Sequence, residues 1–311
     1  MGVARIPVDL FNPGQVFACL GFLEAADVLV GGAVGGFDWH DEAAVRFVLR
    51  TPGDDNPVEA VLRFLAEAKL SRWAPTTYRD PPAKNKKSQD KLNSDEDEEQ
   101  AAFGRVALVA SEHFPARAGD RMTLPVRLQR DSKSVDIGHW SDESSRESFK
   151  LYAGNRSAAG IAADMLQGHQ DKKGRVLQRG ISQLWGERFA DLIAAPFDVL
   201  TPMGGSFNFD PRGSWTAIDA GYSLNDQKHD VSASPVVQML AAWGLEHARP
   251  PEHATRRLRY AAWGLELRPM LARAALAGAI PAFPYRRFQF TLALSGKNKV
   301  VTFANQESSH D

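Results

Sequence analysis

The sequence predicts an α+β fold: small mixed sheets packed with helices, in two lobes at residues 1–200 and 201–311, with a long central loop. Three observations carry this. Asn12-Pro13 and Asn56-Pro57 each set a capping side chain before a proline at a first helical position, with strand-like segments around them. Period-2 and helical patterns then follow in irregular order, unlike the strict alternation of a doubly wound sheet. Residues 200–230 gather Gly, Pro, Asn and Asp, the composition of a long ordered loop or a lobe boundary.

Taken in order, Arg5–Leu10 alternates as a strand, and Gln15–Val30 places Val16, Phe17, Leu20, Leu23, Val28 and Leu29 near helical spacing. Glycines 31, 32, 35 and 36 are expected to end that helix. Phe37–His40 and Val45–Arg50 read as paired strands, and a helix runs from Pro57 to about Leu70, so the opening is β-α-β-β-α. Strands are expected at Val106–Ala110 and Met122–Arg130, and helices at Ser157–Gln170 and Val176–Ala195. A helix at 235–243, a basic strand at 256–263, a short helix at 269–277 and a hairpin of 285–294 with 299–304 close the chain. Ala241-Ala242-Trp243-Gly244-Leu245-Glu246 recurs as Ala261–Glu266, but the first copy follows a helical pattern and the second a strand pattern. Coincidence rather than a structural repeat is expected.

At 43% hydrophobic and 24% charged, the chain of 311 residues is not a disordered one. Its formal charge of −1 hides an asymmetry. Residues 1–60 carry Asp9, Glu24, Asp27, Asp38, Asp41, Glu42, Asp54, Asp55 and Glu59 against Arg5, Arg46 and Arg50. Residues 249–299 carry Arg249, Arg256, Arg257, Arg259, Arg268, Arg273, Arg286, Arg287, Lys297 and Lys299 against Glu252 and Glu266. Such a basic end attracts polyanions. Cys19 is the single cysteine and reads as core; it allows no internal disulfide and no cysteine zinc site, which suits a reducing cytoplasm. The opening lacks a signal peptide's apolar run, and the uncharged stretch Leu10–Leu23 is too short to span a membrane, so a cytoplasmic protein with no membrane partner is expected. Residues 81–100 set lysines before an acidic run with almost no apolar side chain, the composition of a mobile surface loop.

No phosphate-binding loop, dinucleotide fingerprint, zinc-protease motif or nucleophile elbow is present. His40-Asp41 and His229-Asp230 are the residues a metal-dependent phosphodiesterase would use, which is the alternative enzymatic reading; His310-Asp311 is incidental. Ser206 or Ser214 with His229 and Asp219 could form a nucleophile triad only through geometry. No cofactor and no metal are expected. The remaining chemistry is cationic. Lys172, Lys173, Arg175 and Arg179 lie at and just inside an expected helix start. Arg256, Arg257 and Arg259 stand beside Tyr260 and Trp263, and Arg286 and Arg287 stand among Phe283, Tyr285, Phe288 and Phe290. Cations neutralise phosphates and aromatics stack on unpaired bases, so this interleaving suits single-stranded or distorted nucleic acid. The plainer possibility is a strand with its aromatics in the core and its arginines in water. In the central loop, Asn208, Arg212 and Asn225 are candidates to reach base edges, or simply to build turns.

Asn12-Pro13-Gly14-Gln15 running into Cys19-Leu20-Gly21-Phe22-Leu23-Glu24-Ala25-Ala26-Asp27 resembles the N-terminal signature of a CRISPR-associated family, the compact large-subunit-type proteins of subtype I-U (I-G) Cascade complexes. Phe207-Asn208-Phe209-Asp210-Pro211-Arg212 and Asp219-Ala220-Gly221-Tyr222-Ser223-Leu224-Asn225-Asp226 resemble its central motif. The stretch around Pro235, Leu240, Ala241, Ala242, Gly244 and Leu245, and the late Leu271-Ala272-Arg273-Ala274-Ala275, are similar too. These blocks cover a fifth to a quarter of the chain. The resemblance implies a non-enzymatic subunit near the guide RNA handle that helps to engage target DNA. Its partners would be crRNA, target DNA, other Cascade subunits and a separate helicase-nuclease. A protein-only scaffold is the remaining alternative.

Overall fold

The structure is a computed structural model, and it describes residues 1–79, 106–112, 121–141, 149–152, 156–171, 173–213, 231–280, 284–295 and 297–307. The charged stretch at 81–100 lies outside them, as do Lys172 and Asn225.

Strand β1 (Gly2–Pro7) leads into helix α1 (Pro13–Leu29), whose cap is the predicted one: the Asn12 side chain accepts from the Gln15 N–H, with Pro13 at the first position. Strands β2 (Val34–Asp38) and β3 (Arg46–Thr51) pair antiparallel, and β1 adds to the far side of β3, giving the order β1-β3-β2. Helix α2 (Pro57–Glu67) follows, capped by Asn56 onto the Val58 N–H. The opening is therefore β-α-β-β-α. Two of the glycines expected only to end α1 are instead part of β2, because Gly35 and Gly36 meet the Phe47 ring and the Leu265 carbonyl oxygen too closely for a Cβ.

A second sheet has the order β5-β4-β6-β7, from β4 (Lys69–Pro75), β5 (Ala107–Ser111), β6 (Val126–Arg130) and β7 (Lys133–Ile137); only β4 and β5 run parallel. Helix α3 (Ala158–Gln167) then enters a short hairpin, β8 (His169–Gln170) with β9 (Val176–Gln178). The single helix expected over 176–195 is divided. Strand β9 takes its start, and α4 (Ile181–Glu187) and α5 (Phe189–Ala194) break at Arg188, whose φ of −135° is not helical.

The described ends of the central loop are tied by the ladder β10 (Thr201–Pro202) with β11 (Ser232–Ala233). Helix α6 (Pro235–His247) follows, then β12 (Glu252–Ala254), β13 (Arg257–Trp263), helix α7 (Pro269–Leu276), β14 (Tyr285–Ser295), β15 (Asn298–Val301) and β16 (Asn305–Gln306). These strands form a third sheet, β12-β13-β14-β15, with β16 also on β14. The recurring hexapeptide lies in α6 in its first copy and at the end of β13 in its second, so it is no structural repeat.

One hydrophobic cluster spans the chain on both sides of residue 200. Helix α1 lies against α6 at two glycines: a Cβ at Gly21 would stand 1.9 Å from the Leu240 carbonyl oxygen, and one at Gly244 would stand 2.3 Å from that of Phe17. The Tyr260 hydroxyl donates to the Leu10 carbonyl at 2.6 Å, and the Trp263 indole donates to that of Gly35 at 2.8 Å. Both aromatic bodies are buried while their polar tips stay paired. The fold is thus α+β. Among the described residues no helix is long and apolar enough to cross a membrane.

Candidate nucleic-acid interface

Asp210 is fully buried beside the 3₁₀ turn Pro211–Gly213, and its carboxylate organises the described part of the central loop. Asn12 Nδ2 donates to it at 3.1 Å, the Ser234 N–H at 3.3 Å, and the Arg212 guanidinium through Nε and Nη2, the latter at 2.7 Å. Arg212 Nη2 also reaches the Phe197 carbonyl at 2.8 Å, and its side chain is only 21% exposed. Arg212 is therefore turned inward as the counter-charge of a buried carboxylate. That is a different task from the base contact expected of it. Asn208, at φ +63°, makes a tight turn with Ser206, whose hydroxyl donates to its side-chain oxygen at 2.9 Å. Its neighbour Phe209 donates its N–H to the buried Gln238 at 3.2 Å. Asn12, Gly14, Phe209, Asp210, Ser234 and Gln238 thus form one interlocked junction of the α1 and α6 starts with the loop.

In the third sheet, three of the arginines lie on the face opposite its central aromatics. Phe288 and Phe290 pair across the ladder with Tyr260 and Leu258, and all four are buried. The opposite face carries Arg257 across from Thr291, Arg259 across from Gln289, and Arg287 across from Ala261. Aromatics in the core and arginines in water is the plainer arrangement of the two that the sequence allowed, so Tyr260, Trp263, Phe288 and Phe290 offer no stacking surface. The arginine face itself is real. Arg257 and Arg259, two residues apart on one strand, stand about 6.7 Å apart, comparable to successive phosphates of an extended single strand. Arg287 lies over the Tyr285 ring, its guanidinium carbon 5.0 Å from the centroid. Arg256 precedes the row at φ +59°, its N–H donating to Glu252 at 2.6 Å. Arg286 points to the other face. There it donates to Glu42 at 2.9 Å and lies 5.0 Å from the Trp39 ring centroid, so these adjacent arginines do not act as one pair.

Of the described residues in the cluster expected at a helix start, only Arg179 adjoins one, directly before the N-cap Gly180 of α4. Lys173 and Arg175 belong to the β8–β9 turn, where the Asp171 carboxylate accepts both of their N–H groups at 2.9 Å and Gly174 takes φ +78°. That acceptor and that glycine nucleate a turn, which displaces the expected helix start to Gly180. Backbone donors to Asp171, with Arg175 beside it, hold its carboxyl below the usual carboxylate range. The Arg175 side chain is 75% exposed and pairs with Asp171 at 3.2 Å, while Arg179 donates to Glu187 at 2.7 Å. Sequence reasoning did not single out Trp185 and Phe189, one helical turn on, whose rings meet edge-on at 4.8 Å with Phe189 43% exposed. Reading 176–195 as one continuous helix concealed them. The signal that could have found them is Gly186, which weakens helix there.

His40 lies with its ring nitrogen 2.8 Å from Asp38, not Asp41, and its side chain is 97% exposed. His229-Asp230, Ser214 and Asp219 fall outside the described residues. Among the described residues no group of three or more His, Cys, Asp or Glu stands ready to hold a metal ion. Cys19 is buried, and burial pushes its thiol up. Comparison with known proteins adds no relative: no family model matches the chain, nor does any curated protein or solved structure.

Proposed function

We propose that this chain is a non-catalytic, nucleic-acid-binding subunit of a crRNA-guided surveillance complex of the type I-U (I-G) Cascade class. The face of β13 and β14 that carries Arg257, Arg259 and Arg287 would lie along the phosphates of crRNA or target DNA. The observation that carries this reading is that face: cations spaced by strand geometry, interleaved with Gln289 and Thr291, on a sheet whose core is complete without them. Regular cations with amide and hydroxyl neighbours bind a backbone without reading its sequence. In guided complexes sequence is read by base pairing. The resemblance supports the assignment, and its scattered blocks touch at two separate points along α1: Asn12 and Arg212 meet on Asp210 at its start, and Arg273 holds the buried Glu24 at 2.6 Å further along.

The test is affinity purification of the tagged chain, co-expressed with its genomic neighbours and a CRISPR array, with sequencing of the co-purified RNA. Uniform guide RNA together with a repeated backbone subunit is the expected result. A monodisperse chain free of RNA and of other subunits would overturn the assignment.

A further inference from the structure

Strand β16 runs antiparallel along β14 on the edge away from β13, with Asn305 opposite Gln289 and Gln306 opposite Phe288. The ladder continues one step, since the Glu307 N–H donates to the Arg287 carbonyl at 2.9 Å. Side chains alternate along a strand, so Glu307 shares a face with Asn305, and hence with Gln289, Arg259 and Arg287. Its carboxylate accepts from Arg259 Nε at 2.5 Å across the intervening strand. Glu307 is 13% exposed there and Arg259 is 45% exposed. Among the described residues Arg257 and Arg287 make no ion pair, so this carboxylate is the counter-charge on an otherwise uncompensated arginine row.

We propose that Glu307 holds the place of a phosphate on this face. A polyanion seated on Arg257, Arg259 and Arg287 would exchange its phosphate oxygen for the Glu307 carboxylate on Arg259, and the end of β16 would yield as it enters. The strand is short enough to do so: only Asn305 and Gln306 are in register, and each is exposed. A carboxylate and a phosphate oxygen offer the guanidinium the same charge-assisted acceptor, so the exchange needs no rearrangement of Arg259. Glu307 thus sets a threshold that a single anion does not readily cross and a row of phosphates does.

This inference rests on the nucleic-acid reading of the face, and its test separates the two. Binding of fluorescent oligouridylate and oligothymidylate is measured against salt for the wild type, Glu307→Gln, and Glu307→Gln combined with Arg259→Ala, each confirmed as folded by circular dichroism. Glu307→Gln should bind about fivefold more tightly at low salt, with a log–log salt slope steeper by about one, because a phosphate then gains Arg259 without displacing an anion. Adding Arg259→Ala should remove the gain. Equal affinity and slope for wild type and Glu307→Gln would overturn the role of Glu307 while leaving the face as a binding surface. If no variant binds either oligonucleotide, the nucleic-acid reading of the face fails. The anion position is then read with inorganic phosphate, which should raise the melting temperature of Glu307→Gln more than that of the wild type; an equal shift would overturn the position as well.

Discussion

Asp210 and Glu24 are carboxylates taken almost wholly out of water, and each sits against a guanidinium held in two-pronged contact, from Arg212 and Arg273 respectively. Burial of a charge is tolerable on those terms. His139 is buried without them. Among the described residues neither ring nitrogen has a hydrogen-bond partner, its ring lies against Trp140 and Phe209, and the Glu246 carboxylate, 3.8 Å from Nδ1, already accepts the N–H groups of Gly138 and His139. Burial first, and repulsion by Arg249 second, lower its pKa from 6.5 to about 3. The unfolded chain therefore binds a proton that the folded chain refuses between these values. The His139 contribution is intact above the unfolded pKa and falls away as pH drops through that window. Urea unfolding should show a loss of about 2 kcal/mol between pH 7 and pH 5 from this residue. The variant His139→Phe, which keeps an aromatic ring there and removes the titration, should lose correspondingly less. An equal acid loss in both would mean that the imidazole finds a partner when charged.

Helices α1 and α6 approach through glycine, which makes their crossing a matter of backbone rather than side-chain fit. At Gly21 a Cβ would stand 1.9 Å from a carbonyl oxygen that belongs to the facing helix and cannot rotate away. Gly21→Ala should therefore cost about 2 kcal/mol or more through forced separation of the helices, despite alanine's better helix propensity. Gly186 in α4 has open space around it. Gly186→Ala should leave stability unchanged or raise it by up to about 1 kcal/mol. Thermal melts of the two variants check the contrast, and an undamaged Gly21→Ala would sink the close-crossing account. Elements with a local cause were legible in the sequence: both Asn-Pro caps, the β2–β3 pairing and the β14–β15 hairpin. Strands β4 and β7 were not, because β4 begins two residues after α2 ends and β7 follows β6 across a turn at Asp131, which takes φ +53° without glycine. The arginine face was legible as a cluster, but its partition between two sides was not, since Arg286 and Arg287 differ only in the parity of the pleat.

Across the whole molecule a few ion pairs link the acidic first segment to the basic last one. Glu24 pairs with Arg273, Glu42 with Arg286 and Arg50 with Glu266, each joining the first 60 residues to the last third. With the shared cluster and the α1–α6 crossing, these contacts tie the segments on either side of residue 200 into one core. Calorimetric unfolding should accordingly show a single cooperative transition, with equal calorimetric and van't Hoff enthalpies. Two separated transitions would restore independent lobes. By itself the sequence determined the α+β class, the capped helices, the buried Cys19 and the excess of cations toward the far end, because composition, capping and periodicity act over a few residues. Which cations remain outward, which carboxylates they answer, and where Glu307 comes to rest were decided only by the tertiary structure. Those outcomes depend on strand register and on contacts between residues hundreds of positions apart, which no local pattern encodes.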